Sequence, residues 1–112
     1  YTDPLLLCKI SSDATSPNHI GGCSAAFAAL SIDATGNLMP CPRLNIIAGN
    51  IRKDSLETIY YHSKILNKIR DRNNLEGKCN RCKLKYQCGG CRAYAHALTG
   101  NIFHEDTLCT LD

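Results

Sequence analysis

Apolar and polar residues follow one another along the chain in short blocks, and these blocks predict a small α+β domain. An apolar lead, YTDPLLL, precedes a polar loop over residues 11–22. In the next block, AAFAALSIDATGNLMPCP, two apolar arms enclose a polar turn at residues 33–37. A short turn that contains glycine between apolar arms is typical of a β-hairpin. We therefore predict a hairpin with Cys23 before its first strand and Cys41 after its second, at one end of a small sheet.

Helical periodicity begins beyond residue 53. Asp54 and Glu57 have the spacing of a capping box, which marks the start of a helix. The helix that they open carries an apolar stripe, and it is predicted to end near residues 71–74. The stripe consists of Leu56, Ile59, Leu66 and Ile69. A second, alanine-rich helix is predicted over residues 92–99, with Gly100 as its C-terminal glycine.

Composition adds a reason to expect cross-links or metal. The 112 residues include two Phe and no Trp, so the aromatic part of the core is thin, whereas there are eight cysteines. Four of them form a C-x2-C-x5-C-x2-C run over residues 79–91, which we call the cassette: Cys79, Cys82, Cys88 and Cys91. Spacing alone suggests that these four thiols share one metal centre.

Three uses of eight cysteines compete. Disulfides need an oxidising compartment, and no secretory leader is visible, so we expect a cytoplasmic protein with reduced thiols. Two C-x2-C pairs also describe a four-cysteine zinc site. Eight thiolates divide without remainder into two four-cysteine iron–sulfur clusters, which is the interpretation that we favour.

The charge is mild, with a formal net value of +3. Basic residues surround the cassette, and we interpret them as compensation for metal-bound thiolates. They are Lys78, Arg81, Lys83 and Lys85. A nucleic-acid surface would require a larger excess together with stacking aromatic groups, so no nucleic-acid partner is expected. Since no apolar run approaches membrane-spanning length, we predict a soluble domain with no membrane partner.

The framing residues match a known family. IDATGNLMPCP, GNIRKDSLETIY and CGGCRAYAHALTGN, in register with seven of the cysteines, resemble the SPASM domain, the C-terminal auxiliary-cluster domain of many radical S-adenosylmethionine (radical SAM) enzymes. The resemblance covers about residues 20–110. It implies a hairpin followed by helices and cysteine-rich loops wrapped around two [4Fe–4S] clusters. Residues 1–22 would be a linker and residues 23–112 the cluster domain.

The family's ligand scheme divides the cassette. Carried over by resemblance, one [4Fe–4S] cluster is held by Cys79, Cys82, Cys88 and Cys109. The other is held by Cys23, Cys41 and Cys91, with Cys8 as the eighth ligand or an open iron in its place. A long loop can bring Cys8 back at modest entropic cost. Cys91 would then belong to a different cluster from its three neighbours.

The resemblance also indicates what this chain lacks. Radical SAM enzymes require C-x3-C-x2-C, which does not occur here, so the chain alone should be inactive. S-adenosylmethionine would bind only to an N-terminal barrel in the same protein. The expected role is electron transfer to an external carrier, substrate binding, or both, in the modification of a peptide or a small cofactor precursor. A zinc-binding interaction module and a standalone iron–sulfur electron carrier remain the alternatives.

Overall fold

A computed structural model of the protein describes residues 22–110, which belong to two compact units. The hairpin unit is Ser24–Asp71, and the cassette unit contains Cys23 and residues 72–110. The apolar lead, nearly all of the polar loop and Cys8 lie outside the described residues.

The hairpin unit contains a three-stranded antiparallel sheet. Strands β1 (Ser31–Ile32), β2 (Asn37–Met39) and β3 (Gly49–Asn50) lie in the order β1-β2-β3. The hairpin prediction is therefore confirmed. The third strand was not predicted, because two residues are too few to show an alternating pattern.

The turn of the hairpin is held by one carboxylate. Asp33 Oδ1 accepts the backbone N–H groups of Thr35 at 2.9 Å and Asn37 at 3.0 Å, and the Thr35 hydroxyl at 2.8 Å. These bonds lower the pKa of Asp33 from 3.8 to about 2, with the side-chain bond from Thr35 as the largest cause. Aspartate hydrogen-bonded to following backbone groups is a common way to close a turn.

Two short helices follow, where the sequence predicted one long helix. Helix α1 is Leu56–His62 and α2 is Lys64–Arg70, separated by Ser63 in an extended conformation. The Ser63 hydroxyl accepts the N–H of Leu66, so this serine starts a new helix. The predicted capping box is also wrong, because the N-cap of α1 is Ser55, whose Oγ accepts from Thr58 N at 3.1 Å.

The core of the hairpin unit forms between the sheet and these helices. Leu38, Leu44 and Leu66 are completely buried, and Ile59 and Ile69 nearly so. Leu56, the first residue of the predicted stripe, is 48% exposed, although Ile59 in the same helix is buried. A Cβ added at Gly49 would lie 2.9 Å from Ile59 Cγ2, so the β3 backbone packs directly against α1.

The cassette unit is built from short elements and turns. It contains a 3-10 turn at Arg72–Asn74, helix α3 (Gly77–Arg81) and helix α4 (Arg92–Thr99). Helix α4 ends at left-handed Gly100, whose N–H donates to His96 O at 2.8 Å, which confirms that prediction. No helix over residues 22–110 is long and apolar enough to cross a membrane.

Candidate metal centre

The seven cysteines among the described residues are all free thiols. In the cassette unit Cys79 lies in α3, Cys82 is its C-cap and Cys91 is the N-cap of α4. Cys79, Cys88 and Cys91 are buried, whereas Cys82 and Cys109 are half-buried. Within residues 22–110, no three His, Cys, Asp or Glu residues are grouped closely enough to hold a single metal ion.

Three of the cassette sulfurs accept a backbone hydrogen bond. Asp106 N donates to Cys79 Sγ at 3.3 Å, Leu84 N to Cys82 Sγ at 3.4 Å and Gly90 N to Cys88 Sγ at 3.4 Å. N–H donors aimed at sulfur favour the thiolate, and in iron–sulfur proteins they set the reduction potential. The backbone around the cassette is therefore arranged for negatively charged sulfur.

Asp106 forms hydrogen bonds with three of the cysteines. Its side chain is 1% exposed, and its Oδ2 accepts the N–H of Cys91 at 2.8 Å. Its own N–H donates to Cys79 Sγ, and its carbonyl accepts the N–H of Cys109 at 3.1 Å. Oδ1 also accepts the N–H of Leu108 at 3.0 Å, which closes an Asx turn before Cys109. One buried residue thus fixes the relative positions of Cys79, Cys91 and Cys109.

Arg72 attaches Cys23 to the cassette. This side chain is 5% exposed, and its guanidinium donates to Lys85 O at 2.8 Å and to Cys23 O at 2.9 Å. The N–H of Cys23 in turn donates to Cys88 O at 3.1 Å. Cys23, distant in sequence, therefore lies against the cassette backbone through both of its own backbone groups.

The pKa of Arg72 reflects its burial and the charged groups around it. Burial lowers the pKa of the Arg72 guanidinium, and Arg92 lowers it further, whereas negative charge on the sulfurs of Cys23, Cys88 and Cys79 would oppose that shift. A buried cation is stable only when it is paired or fully hydrogen-bonded. Arg72 and Arg92 are both buried, and backbone carbonyls accept their hydrogen bonds.

Gly89 and Gly90 lie directly against the guanidinium groups of these two arginines. Both glycines have positive φ, of 69° and 62°. A Cβ at Gly89 would overlap Arg72 Nη1, and one at Gly90 would lie 2.6 Å from Arg92 Nη2. The N–H of Gly90 donates to Cys88 Sγ. The space of the missing side chains, however, is filled by guanidinium groups.

The start of α3 is held by the segment before Cys109. Glu105 Oε2 accepts the N–H of Lys78 at 2.6 Å, and this bond is the main cause of the lowered pKa of Glu105. Lys78 Nζ donates to Cys109 O at 2.9 Å. Lys78 was predicted to offset metal charge. That interpretation stays a prediction, and in the structure the ammonium also holds the backbone of a predicted ligand, Cys109.

Cys41 belongs to the hairpin unit. It lies two residues beyond β2, half-buried, and its carbonyl accepts the N–H of Leu44 at 3.0 Å. Its position after the second strand agrees with the hairpin prediction. The common cluster of Cys23, Cys41 and Cys91 stays a prediction, as does the part of Cys8.

Three charged residues that support the cassette were not recognised in the sequence as site residues: Arg72, Arg92 and Asp106. Arg72 carried no local sign, because its partner Cys23 is 49 residues away. Asp106 did carry one, since an aspartate shortly before a cysteine in a polar segment suggests an Asx turn.

An iron–sulfur cluster fits this donor set. The thiols are free, three of them are buried, and three accept backbone N–H groups. Thiolate ligands, N–H donors to sulfur and nearby buried cations are the features by which proteins hold such clusters and tune them.

Comparison with known proteins agrees with the geometry. Residues 23–83, more than half of the chain, match the model of the SPASM iron–sulfur cluster-binding domain. The chain is 36% identical over 88 residues to the AdoMet-dependent heme synthase of Methanosarcina barkeri, covering 79% of this chain and 25% of that protein.

Two further relatives show the same pattern. The AdoMet-dependent heme synthase of Oleidesulfovibrio alaskensis is 33% identical over 98 residues, which is 88% of this chain and 24% of the relative. The PqqA peptide cyclase of Methylocella silvestris is 33% identical over 87 residues, 73% of this chain and 23% of the relative. The chain thus spans about a quarter of the length of these relatives. By its family match, and as the sequence predicted, the chain belongs to the SPASM family of iron–sulfur cluster-binding domains found in radical SAM enzymes.

Proposed function

We propose that this domain holds two [4Fe–4S] clusters and serves a radical SAM enzyme as its auxiliary-cluster domain. The observation that carries the proposal is the set of backbone hydrogen bonds donated to the cassette sulfurs. Cys79, Cys82 and Cys88 each accept a backbone N–H. Two arginines are buried in the same unit. Such an environment stabilises thiolates and the negative charge of a cluster.

The first cluster is assigned to Cys79, Cys82, Cys88 and Cys109. The hydrogen bonds through Asp106, and the bond from Lys78 Nζ to Cys109 O, support this assignment because they tie the Cys109 segment to α3. The second cluster is assigned to Cys23, Cys41 and Cys91, with Cys8 as its fourth ligand. The bonds of Cys23 to Cys88 O and Arg72 bring Cys23 to the cassette backbone, and the cassette also contains Cys91, its proposed partner.

The domain would act beside an N-terminal barrel of the same protein that binds S-adenosylmethionine. When bound, the clusters supply one-electron transfer to or from an external carrier, or an iron site for substrate. By analogy with relatives named heme synthase and PqqA peptide cyclase, the substrate is a heme precursor or a precursor peptide. The cytoplasmic location expected from the sequence stays a prediction.

Metal analysis of the full chain tests the proposal. The chain is purified anaerobically and reconstituted with iron and sulfide, and iron, sulfide and zinc are then measured together with the visible spectrum. We expect about eight irons per chain, four for each cluster, with absorption that dithionite bleaches. One colourless zinc per chain would overturn the proposal in favour of a zinc-binding module.

The eighth ligand has its own test. In a Cys8→Ala variant we expect one cluster to lose an iron or to bind an exogenous ligand such as imidazole at the vacated position, detected by Mössbauer or EPR spectroscopy. Cys82→Ala is the comparison, because it removes a ligand of the other cluster. Unchanged spectra in Cys8→Ala would show that another group completes the second cluster.

A further inference from the structure

Arg92 has a buried donor that no residue over 22–110 accepts. The side chain is 3% exposed, and Nε has no hydrogen-bond partner among the described residues. Its Nη1 donates to Ile102 O at 2.9 Å and to His104 O at 2.7 Å. A buried polar group without a partner destabilises a protein, so each such group requires an explanation. An acceptor other than residues 22–110, such as a bound cluster, would provide one.

The same guanidinium lies at a cassette sulfur. Its Nη2 is 3.9 Å from Cys79 Sγ, and this hydrogen bond comes from a charged donor. Since the guanidinium is planar and rigid, its position is fixed by the two bonds of Nη1 to the 102–104 loop. Gly90 provides the space, because a Cβ there would lie 2.6 Å from Nη2.

We propose that Arg92 donates its unused Nε–H to the cluster held by Cys79, and thereby raises the reduction potential of that cluster. This inference rests on the proposed function. Adding one electron, supplied by an external one-electron donor, makes the cluster more negative. A fixed positive charge and an N–H donor beside it therefore stabilise the reduced form more than the oxidised form. Arg92 would act on the potential and take no part in bond making or breaking.

Arg81, at the end of α3, is a matched control in the same unit. It precedes Cys82 directly, but its side chain is exposed, where solvent screens its charge. Arg92→Lys keeps the positive charge and can still bond one of the two carbonyls, but it has no Nε–H. Arg81→Lys makes the same chemical change at the surface.

Potentiometry of the reconstituted full chain tests the inference. For Arg92→Lys we expect the equilibrium constant for reduction of the Cys79 cluster to fall about tenfold, which is about 59 mV for a one-electron couple. Arg81→Lys should change it by less than about twofold, since an exposed charge is screened. Equal potentials in wild type and Arg92→Lys, with full iron content in both, would overturn the inference while leaving the two clusters in place.

A second measurement looks for the contact itself, first in the wild-type chain. In wild-type chain with isotope-labelled arginine, pulsed EPR of the reduced protein should detect guanidinium nitrogen coupled to the cluster, and Arg72→Lys should leave that coupling unchanged. No arginine coupling in wild type would overturn the inference. Loss of the coupling in Arg72→Lys, with full iron content, would also overturn it, because the coupled nitrogen would then belong to Arg72. Failure of wild type to take up iron would instead contradict the proposed function.

Discussion

An alanine at position 89 should destabilise the protein far more than an alanine at position 100. Both glycines have positive φ, of 69° and 76°, so an alanine pays a similar backbone penalty at each, about 1–2 kcal/mol. Gly100 has nothing within 4 Å of an added Cβ, whereas at Gly89 the Cβ would overlap Arg72 Nη1. The pair therefore separates backbone strain from displacement of a buried guanidinium.

The additional effect at position 89 follows from the bonds of Arg72. Displacing its guanidinium breaks the hydrogen bonds to Lys85 O and Cys23 O. Hydrogen bonds from charged groups contribute about 1.5–3 kcal/mol each, so Gly89→Ala should be at least about 3 kcal/mol less stable than Gly100→Ala. At about 4 °C per kcal/mol for a domain of this size, the melting temperatures should differ by about 12 °C or more.

Circular dichroism during anaerobic heating of the reconstituted chain measures both variants. Since bound clusters complicate a two-state analysis, the order and separation of the two melting temperatures are compared, not absolute free energies. In an Arg72→Ala background Gly89→Ala should cost little more than Gly100→Ala, because the overlapping group is gone. Equal melting temperatures for the two single variants would refute the argument that the glycine step makes room for Arg72.

Three further predictions concern single side chains. Asp106→Asn should destabilise the chain by about 1–3 kcal/mol in urea unfolding, because one amide oxygen cannot replace both carboxylate acceptors; an unchanged midpoint would contradict the role of Asp106. Ser55→Ala should lower stability by about 1 kcal/mol because the N-cap is lost, while Asp54→Ala should be nearly neutral. The reverse order of the two variants in thermal unfolding would show that Asp54 caps the helix after all. The pKa of Asp33 is lowered from 3.8 to about 2, so its turn bonds stabilise the hairpin above about pH 4 and are lost as the pH falls through about 2. The NMR carboxyl shift should show that midpoint, and a value near 3.8 would contradict it.

Local patterns predicted the local parts of the fold. The hairpin around Asp33 and the helix closed by Gly100 follow from turn and capping preferences within a few residues, and both are present. The prediction of a single long helix was wrong at Ser63. A serine within an apolar stripe gives no sign in the sequence that its hydroxyl will cap a new helix. The stripe gave the correct buried face only at Ile59 and beyond.

The candidate site, like the fold, was predictable from the sequence only in part. The cysteine spacing identified the ligand candidates without any knowledge of the fold, since the residue type itself carries the chemistry. Arg72 and Asp106 support those thiols through contacts with residues far away in sequence, such as Arg72 with Cys23 and Asp106 with Cys79. No periodicity or motif in a single sequence specifies such tertiary partners, so only the folded structure reveals them.

The central claim is that the cassette is divided between two clusters, and iron analysis of paired variants tests it most directly. Each of the single variants Cys88→Ser, Cys109→Ser and Cys91→Ser should lose one cluster and keep about four irons. The Cys88→Ser/Cys109→Ser double variant should also keep about four, because both residues serve one cluster.

The decisive variant is Cys88→Ser/Cys91→Ser, in which two cysteines three positions apart are removed together. If they serve different clusters, as we propose, the reconstituted chain should retain almost no iron and no absorption that dithionite bleaches. If this double variant instead keeps the same iron content as either single variant, the two cysteines share one metal centre and the division of the cassette is wrong.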